Sequence, residues 1–146
     1  MERPKIIVVD ASVVVKWFVE EEFTEQALSL VGDYERRSID LRSTQMMPFE
    51  VMNALRYNVE LGQTELENAG DALMRFRVAL YPLLGDLKTV CLKLAYLYGL
   101  TVYDASYLAL GELLSSDVYT ADRKFIEKTK KGEGVLRHIG EYSSSA

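Results

Sequence analysis

At 146 residues, 49% hydrophobic and 27% charged, the chain has the size and balance of one domain with its own core. No run approaches the ~18 consecutive apolar residues that cross a bilayer, Asp10 cuts the N-terminal apolar run too short for a signal peptide, and a single cysteine excludes an internal disulfide and fits a reducing, cytoplasmic setting. The net charge of −5 argues against broad nonspecific nucleic-acid binding.

In chain order, "KIIVV" at 5–9 reads as a buried strand, and a short helix is expected around 12–20. "TEQALSLVGDYERR", from Thr24, reads as a helix with Ala27, Leu28, Val31 and Tyr34 on one face. Residues 39–45, "IDLRSTQ", alternate as a strand does. Pro48 suits the first turn of a helix running to about Leu61, with Gly62 ending it at a left-handed cap. "TELE" then reads as a capping box of Thr64 with Glu67, opening a helix striped by Leu66, Ala69, Leu73, Phe76 and Leu80.

"LYPLL" is a candidate short strand, and a helix over 86–98 is closed by Gly99. Cys91 falls inside that helix as a small core residue. Asp104 is expected to cap the helix "ASYLALGELL". "DVYTA" at 117–121 is a strand, Asp122 caps a basic helix, and "GVLRHI" at 134–139 is the last strand, carrying the single histidine, His138, in a structural role. Strands separated by helices predict a parallel α/β sheet covered on both faces. The domain is expected over 1–140, with a polar tail over 141–146.

Charge is uneven along the chain. Residues 123–137 hold six bases (Arg123, Lys124, Lys128, Lys130, Lys131, Arg137) against Glu127 and Glu133, a local +4. The rest holds eleven bases against twenty acids, −9. The basic strip is either a solvated helix end or a contact for phosphates. Only three Asn and three Gln occur, a scarcity found in proteins from hot environments.

Three aspartates share a setting. Asp10 follows "IIVV", Asp104 follows "LTVY" and Asp122 follows "VYTA", each where an extended apolar segment gives way to a helix. Parallel strands bring such ends to one edge of a sheet, where open α/β folds bind ligands. Glu50 lies in the first turns of the helix after Pro48, with Asn53 three residues on. Each acid also has a simpler role as a helix cap or a partner of the helix dipole. Four carboxylates gathered together would repel and raise one another's pKa values. A divalent cation relieves that repulsion, and oxygen-only donors favour Mg²⁺ or Mn²⁺ over zinc. Shared coordination requires the four groups to converge within about one metal-bridging span, at ~2–2.6 Å per ligand bond.

The segments "VVDASVVVKWF", "FEVMNAL", "LTVYDASYLAL" and "VYTADRKF", in this order and spacing, resemble the PIN-domain family, and within it the VapC-type toxins of toxin–antitoxin pairs. The resemblance implies a three-layer α/β/α sandwich with a mainly parallel central sheet and an Mg²⁺- or Mn²⁺-dependent endoribonuclease. Carried over by position, Asp10, Glu50, Asp104 and Asp122 are the acidic quartet that holds the metal. Ser12, Asn53 and Thr120 match supporting or substrate-orienting positions, and Arg123 and Lys124 are candidate phosphate contacts. An RNA substrate, a cognate antitoxin protein and a homodimer are implied as partners, and no membrane. Helices around 24–35 and 47–61 are candidates for the dimer contact, through Val51, Met52 and Leu55. Two departures stand out: "STQMMPFE" is more polar than usual for the family, and Gly111 replaces a small helix former such as alanine.

Other readings fit less well. A receiver-like signalling module pairs two acids after its first strand, but Ala11 follows Asp10. A haloacid-type phosphatase needs Asp-x-Asp, and the chain has Asp10-Ala11-Ser12. A catalytically silent PIN-fold module that binds RNA or protein stays open, and metal-dependent RNA cleavage separates it from the enzyme.

Overall fold

The structure, a computed structural model, describes residues 3–130 and 134–144. Five strands form one sheet in the order β3-β2-β1-β4-β5, and every pairing is parallel. They are β1 (Lys5–Val9), β2 (Ile39–Thr44), β3 (Ala79–Tyr81), β4 (Asp117–Thr120) and β5 (Leu136–His138). The helices are α1 (Ala11–Val14), continued by a 3-10 turn over Val15–Trp17, then α2 (Thr24–Glu35), α3 (Met46–Tyr57), α4 (Gln63–Arg75), α5 (Gly85–Tyr98), α6 (Val102–Leu114) and α7 (Arg123–Thr129). For this strand order, the right-handed crossover that parallel strands take puts the β1→β2 and β2→β3 connections over one face and the β3→β4 and β4→β5 connections over the other. This is the expected three-layer α/β/α sandwich.

The apolar runs of β1 and β4 are buried on both faces, as a parallel sheet requires; Val8, Val9 and Val118 have no exposed surface. Leu30 of α2, Leu55 of α3 and Leu108 of α6 pack into the same core. Gly111 explains its own place in the sequence. A Cβ there would lie 2.2 Å from Val118 Cγ2, so only glycine lets α6 come this close to β4.

Several local expectations are corrected. The first helix ends at Trp17 rather than 20. Leu28 is exposed on α2, and Leu30 takes the core position beside Ala27 and Val31. Gly62 is not a left-handed C-cap: its φ of −71° is extended, and it opens α4 as the N-cap. The reciprocal bond at that end comes from Glu65, whose Oε1 accepts from the Gly62 N–H at 3.3 Å, so Thr64 and Glu67 are not the capping pair. The third strand is Ala79–Tyr81, just before Pro82, whose missing N–H suits the end of a strand. Gly99 does close α5 in the left-handed region, with φ 63°.

Two proposed dimer contacts belong to the core instead. Val51 and Leu55 are fully buried within the chain, and Met52 is partly buried against the core. Beyond β5, residues 139–144 fold back onto α2. Tyr142 is buried, and its hydroxyl donates to the Asp33 carboxylate, which also accepts from Ser144 Oγ at 2.7 Å. Lys131, Glu133 and the last two residues of the tail lie outside the described residues. Among the described residues no helix is long and apolar enough to cross a membrane.

Candidate active site

The strand order changes direction between β1 and β4, the crevice where doubly wound sheets bind ligands. Asp10 sits at the carboxyl end of β1 in that crevice, with its N–H bonded to Tyr119 O at 3.2 Å. Its carboxylate does cap a helix: Oδ1 accepts from the Val13 N–H of α1 at 3.3 Å. The same oxygen accepts from Ser12 Oγ at 2.6 Å. Ser12 Oγ in turn accepts from the Ala121 N–H at 2.8 Å and lies 3.3 Å from Thr120 Oγ1. Thr120 Oγ1 accepts from the Asp122 N–H at 3.0 Å. Ser12 and Thr120 therefore lash the end of β1 to the turn after β4.

Asp104 is not the cap it was expected to be. Thr101 caps α6, its Oγ1 accepting from the Asp104 N–H at 3.0 Å. The helix begins three residues earlier than the sequence suggests, and Asp104 falls in its first turn. Its carboxylate is thereby released from capping, half-buried, and surrounded by acid.

Glu50 projects from α3 and is held by Tyr107 of α6, whose hydroxyl donates to Oε1 at 2.6 Å. The polar residues before α3 now have a purpose. Ser43 Oγ donates to Val9 O at 2.6 Å, fixing the end of β2 to β1, and Ser106 Oγ bonds Thr44 Oγ1 at 3.3 Å, fixing it to α6. Asn53 is exposed one turn beyond Glu50. The residues that continue the Glu50 row along the cleft are Ala54 and Asn58, at the i+4 and i+8 positions.

Asp122 caps α7, with Oδ1 accepting from the N–H groups of Lys124 and Phe125 at 2.9 and 3.2 Å. Arg123 is turned toward Phe23, 5.8 Å from its ring centre, and toward His138. Lys124 is exposed. The base whose charge reaches the acids is Lys128, which lowers the Asp104 pKa and whose Nζ lies 3.4 Å from Gly99 O. Elsewhere in the basic strip, Arg137 pairs with Asp117 at 3.5 Å. His138 is structural: Nδ1 accepts from the Gly140 N–H, and the ring meets Phe23 edge to face.

The electrostatics mark Asp10, Glu50 and Asp104 off from ordinary surface carboxylates. Burial pushes Asp10 up to about 7, against the hydrogen bonds from Ser12, Thr120 and Val13, and Asp104 adds to the rise. Burial, then Asp122 and Glu50, push Asp104 up to about 6. Burial also raises Glu50, with the Tyr107 hydrogen bond opposing it. Asp104 is thus the common neighbour of the other three. Among the described residues no three acidic, His or Cys side chains are already drawn together as a metal cage; the acids interact pairwise across the cleft. The donor set is all oxygen, its anions are costly without a counter-charge, and both properties fit a hard divalent cation.

Sequence reasoning did not single out Tyr107, which holds Glu50, or Asn58 and Lys16, which line the cleft beside it. Tyr107 is hidden among apolar neighbours on α6, and only its three-residue offset from Asp104 places it on the same side of the helix.

A model of the family described as "PIN domain" matches residues 7–131. Ribonuclease VapC3 of Pyrobaculum aerophilum is 33% identical over 130 residues, an alignment covering 84% of this chain and 93% of that protein. The fold is similar to a toxin-antitoxin complex from Klebsiella pneumoniae, with a TM-score of 0.67 at 17% identity over 91% of this chain and 97% of that one. It is also similar to PAE2754 from Pyrobaculum aerophilum, with a TM-score of 0.64 at 23% identity over 94% and 92% of the two chains. With the family model spanning most of its length and a relative 33% identical over 84% of it, the chain belongs to the PIN-domain family.

Proposed function

We propose that this chain is an endoribonuclease that hydrolyses RNA phosphodiester bonds with Mg²⁺ or Mn²⁺, and that it is the toxin of a toxin–antitoxin pair. The observation that carries the reading is the state of Asp104. Its helix is capped by Thr101, so the carboxylate has no structural duty, yet it is half-buried beside Asp10, Glu50 and Asp122. The 33% identity to a VapC ribonuclease supports the same activity.

In the mechanism, Asp10 and Asp104 would hold the principal cation, Glu50 would support it, and Asp122 would complete the site. When bound, such an ion supplies Lewis acidity toward the phosphodiester and makes a water acidic enough to attack it. The chain's own part is to keep these carboxylates ionised and aimed. Ser12 fixes the Asp10 carboxylate, Tyr107 fixes Glu50, and Thr120 holds the turn that carries Asp122. Hydrolysis releases a 3′ hydroxyl and leaves the phosphate on the 5′ end of the downstream product.

The partner is an antitoxin protein, and the working form is a homodimer. With Val51 and Leu55 in the core, the second copy needs another face. Leu92, Tyr96 and Leu97 expose a stripe of apolar side chains along α5, and we assign the contact there. Sedimentation showing only a 16.6 kDa species at micromolar concentration overturns the dimer.

The test of activity is cleavage of fluorescent single-stranded RNAs with Mn²⁺, with EDTA and with Asp104→Asn. Cleavage abolished by both treatments is expected. Binding of RNA without cleavage under every metal condition overturns the enzyme and leaves a silent binding module.

A further inference from the structure

A groove of about 310 Å³ runs away from the carboxylates between the α1 end and α3, lined by Ser12, Lys16, Glu21, Glu50, Ala54 and Asn58. Lys16 stands in the 3-10 turn only six residues after Asp10, and its side chain is 7% exposed. Its Nζ bonds Glu21 Oε1 at 3.1 Å. The Glu21 side chain is 43% exposed.

Burying an ammonium is costly, and a methionine would fill the same volume without that cost. The pairing is also lopsided. An ammonium carries three N–H donors, and Glu21 accepts one. The stem is immobilised by burial, so placing an anion on it loses little side-chain entropy. Glu21 is tied by its backbone N–H to Thr24 Oγ1 at 2.9 Å, which sets it at the mouth of the groove.

We propose that Lys16 is a substrate-binding residue that takes a backbone phosphate of the RNA next to the scissile one, and that Glu21 occupies the ammonium until the phosphate replaces it. The assignment rests on the ribonuclease reading and adds a direction to it: the strand leaves the carboxylates along α3, past Glu50, Ala54 and Asn58. A phosphate in this groove lies beside Glu50, so Lys16 also offsets the repulsion between that acid and the incoming backbone.

The experiment measures kcat and KM for Mn²⁺-dependent cleavage of a fluorescent single-stranded RNA across about 50 to 200 mM KCl, a range over which phosphate contacts show clearly. Lys16→Gln is expected to raise KM roughly tenfold, as for a lost charged hydrogen bond, with kcat little changed. The slope of log KM against log salt should fall by about 0.7, the value of one phosphate contact on a single strand. Lys16→Arg should recover both. Glu21→Gln should lower KM, since the phosphate no longer competes with a carboxylate. A purely structural ion pair predicts otherwise: an unchanged salt slope in Lys16→Gln and no tightening in Glu21→Gln. An unchanged KM and slope in active Lys16→Gln overturns the assignment alone. Should Lys16→Gln not fold, weaker RNA cleavage in Glu21→Gln overturns it equally. Failure of the unaltered protein to cut any RNA overturns the ribonuclease reading, and this assignment with it.

Discussion

The hydroxyl of Tyr107 lies 2.6 Å from Oε1 of Glu50 and ties α6, which carries Asp104, to α3 across the cleft. Tyr107 is 1% exposed and Glu50 is half-buried, so the bond is partly shielded from water. It sets the side-chain direction of Glu50, which like Asp104 is carried on a helix rather than at a strand end.

Tyr107→Phe removes that donor and keeps the ring. Glu50, already raised by burial, loses the hydrogen bond that opposed the rise. Its pKa moves further up, and the acid limb of the pH–rate profile shifts to higher pH. Turnover should fall roughly tenfold or more, as when an outer partner of a metal ligand is removed. Stability near pH 8 should fall by about 1–2 kcal/mol. An unmoved acid limb would show that the bond does not govern Glu50.

Asp10 and Asp104 make the metal-free protein less stable as pH rises. Their carboxyls titrate at about 7 and about 6 when folded, against an ordinary 3.8. Between about pH 4 and 7 the folded chain therefore holds protons that the unfolded chain has lost, and unfolding becomes easier with each step up in pH. His138 acts in the opposite sense at low pH, because burial lowers its pKa. The difference between wild type and Asp10→Asn cancels that contribution. In EDTA the variant should gain Tm relative to wild type from pH 5 to pH 8. Mn²⁺ should then raise wild-type Tm more at pH 8 than at pH 5. A pH-independent difference contradicts a raised Asp10.

Gly111→Ala tests the fit of α6 on β4. Alanine in a helix interior is normally better than glycine by about 1 kcal/mol. Here its methyl would meet Val118 Cγ2 at 2.2 Å and Ser116 O at 3.1 Å. Overpacking of this kind costs about 1–3 kcal/mol, so a net loss is expected in urea titration. A gain would mean that α6 moves away from β4 at little cost.

The end of the chain is part of the domain's stability. Burial pushes the Asp33 pKa up, but hydrogen bonds from Tyr142, Ser144 and Arg36 outweigh it and hold the carboxyl below the usual range. Deleting residues 141–146 removes the two hydroxyls and leaves Arg36 alone. Roughly 2–4 kcal/mol of stability should be lost, most visibly above pH 5, where the carboxylate is charged and keeps only Arg36. RNA cleavage at a temperature where the shortened chain is folded should persist. Unchanged stability would show the contact to be incidental.

The fold was legible wherever periodicity and chain order sufficed. "IIVV" and "DVYT" read as strands with a helix after each, so the sheet edge that gathers Asp10 and Asp122 was implied by the sequence. What was not legible depended on neighbours distant in sequence. Thr101 and Asp104 are both good capping residues, and only the packing of α6 against the sheet selects Thr101. Val51, Met52 and Leu55 look alike as a helix stripe whether they face a core or a second copy. Gly62 could end one helix or open the next, and the sign of its φ is not written in the sequence. Tyr107 and Lys16 carry polar ends on buried stems, and their partners Glu50 and Glu21 are visible only in three dimensions.

The capping assignments make the aspartates separable by one substitution. Asp122 and Asp10 both cap helices, whereas Asp104 caps none. Asparagine caps about as well as aspartate, so Asp→Asn leaves all three helix ends intact and removes one charge. If the acids serve only as caps and solvated side chains, all three variants should cut RNA as wild type does. If they hold a cation, Asp104→Asn should lose more activity than the roughly 10–100-fold typical of changes to a ligand's supporting partners. It should also lose the Mn²⁺-induced rise in Tm, because a ligand that binds only the folded state stabilises it by mass action. In EDTA its Tm should equal or exceed wild type, since the substitution relieves repulsion from Asp10, Glu50 and Asp122. Loss of activity together with a Tm well below wild type in EDTA would point instead to a structural role for Asp104, and retention of both activity and the Mn²⁺ shift would remove it from the metal site.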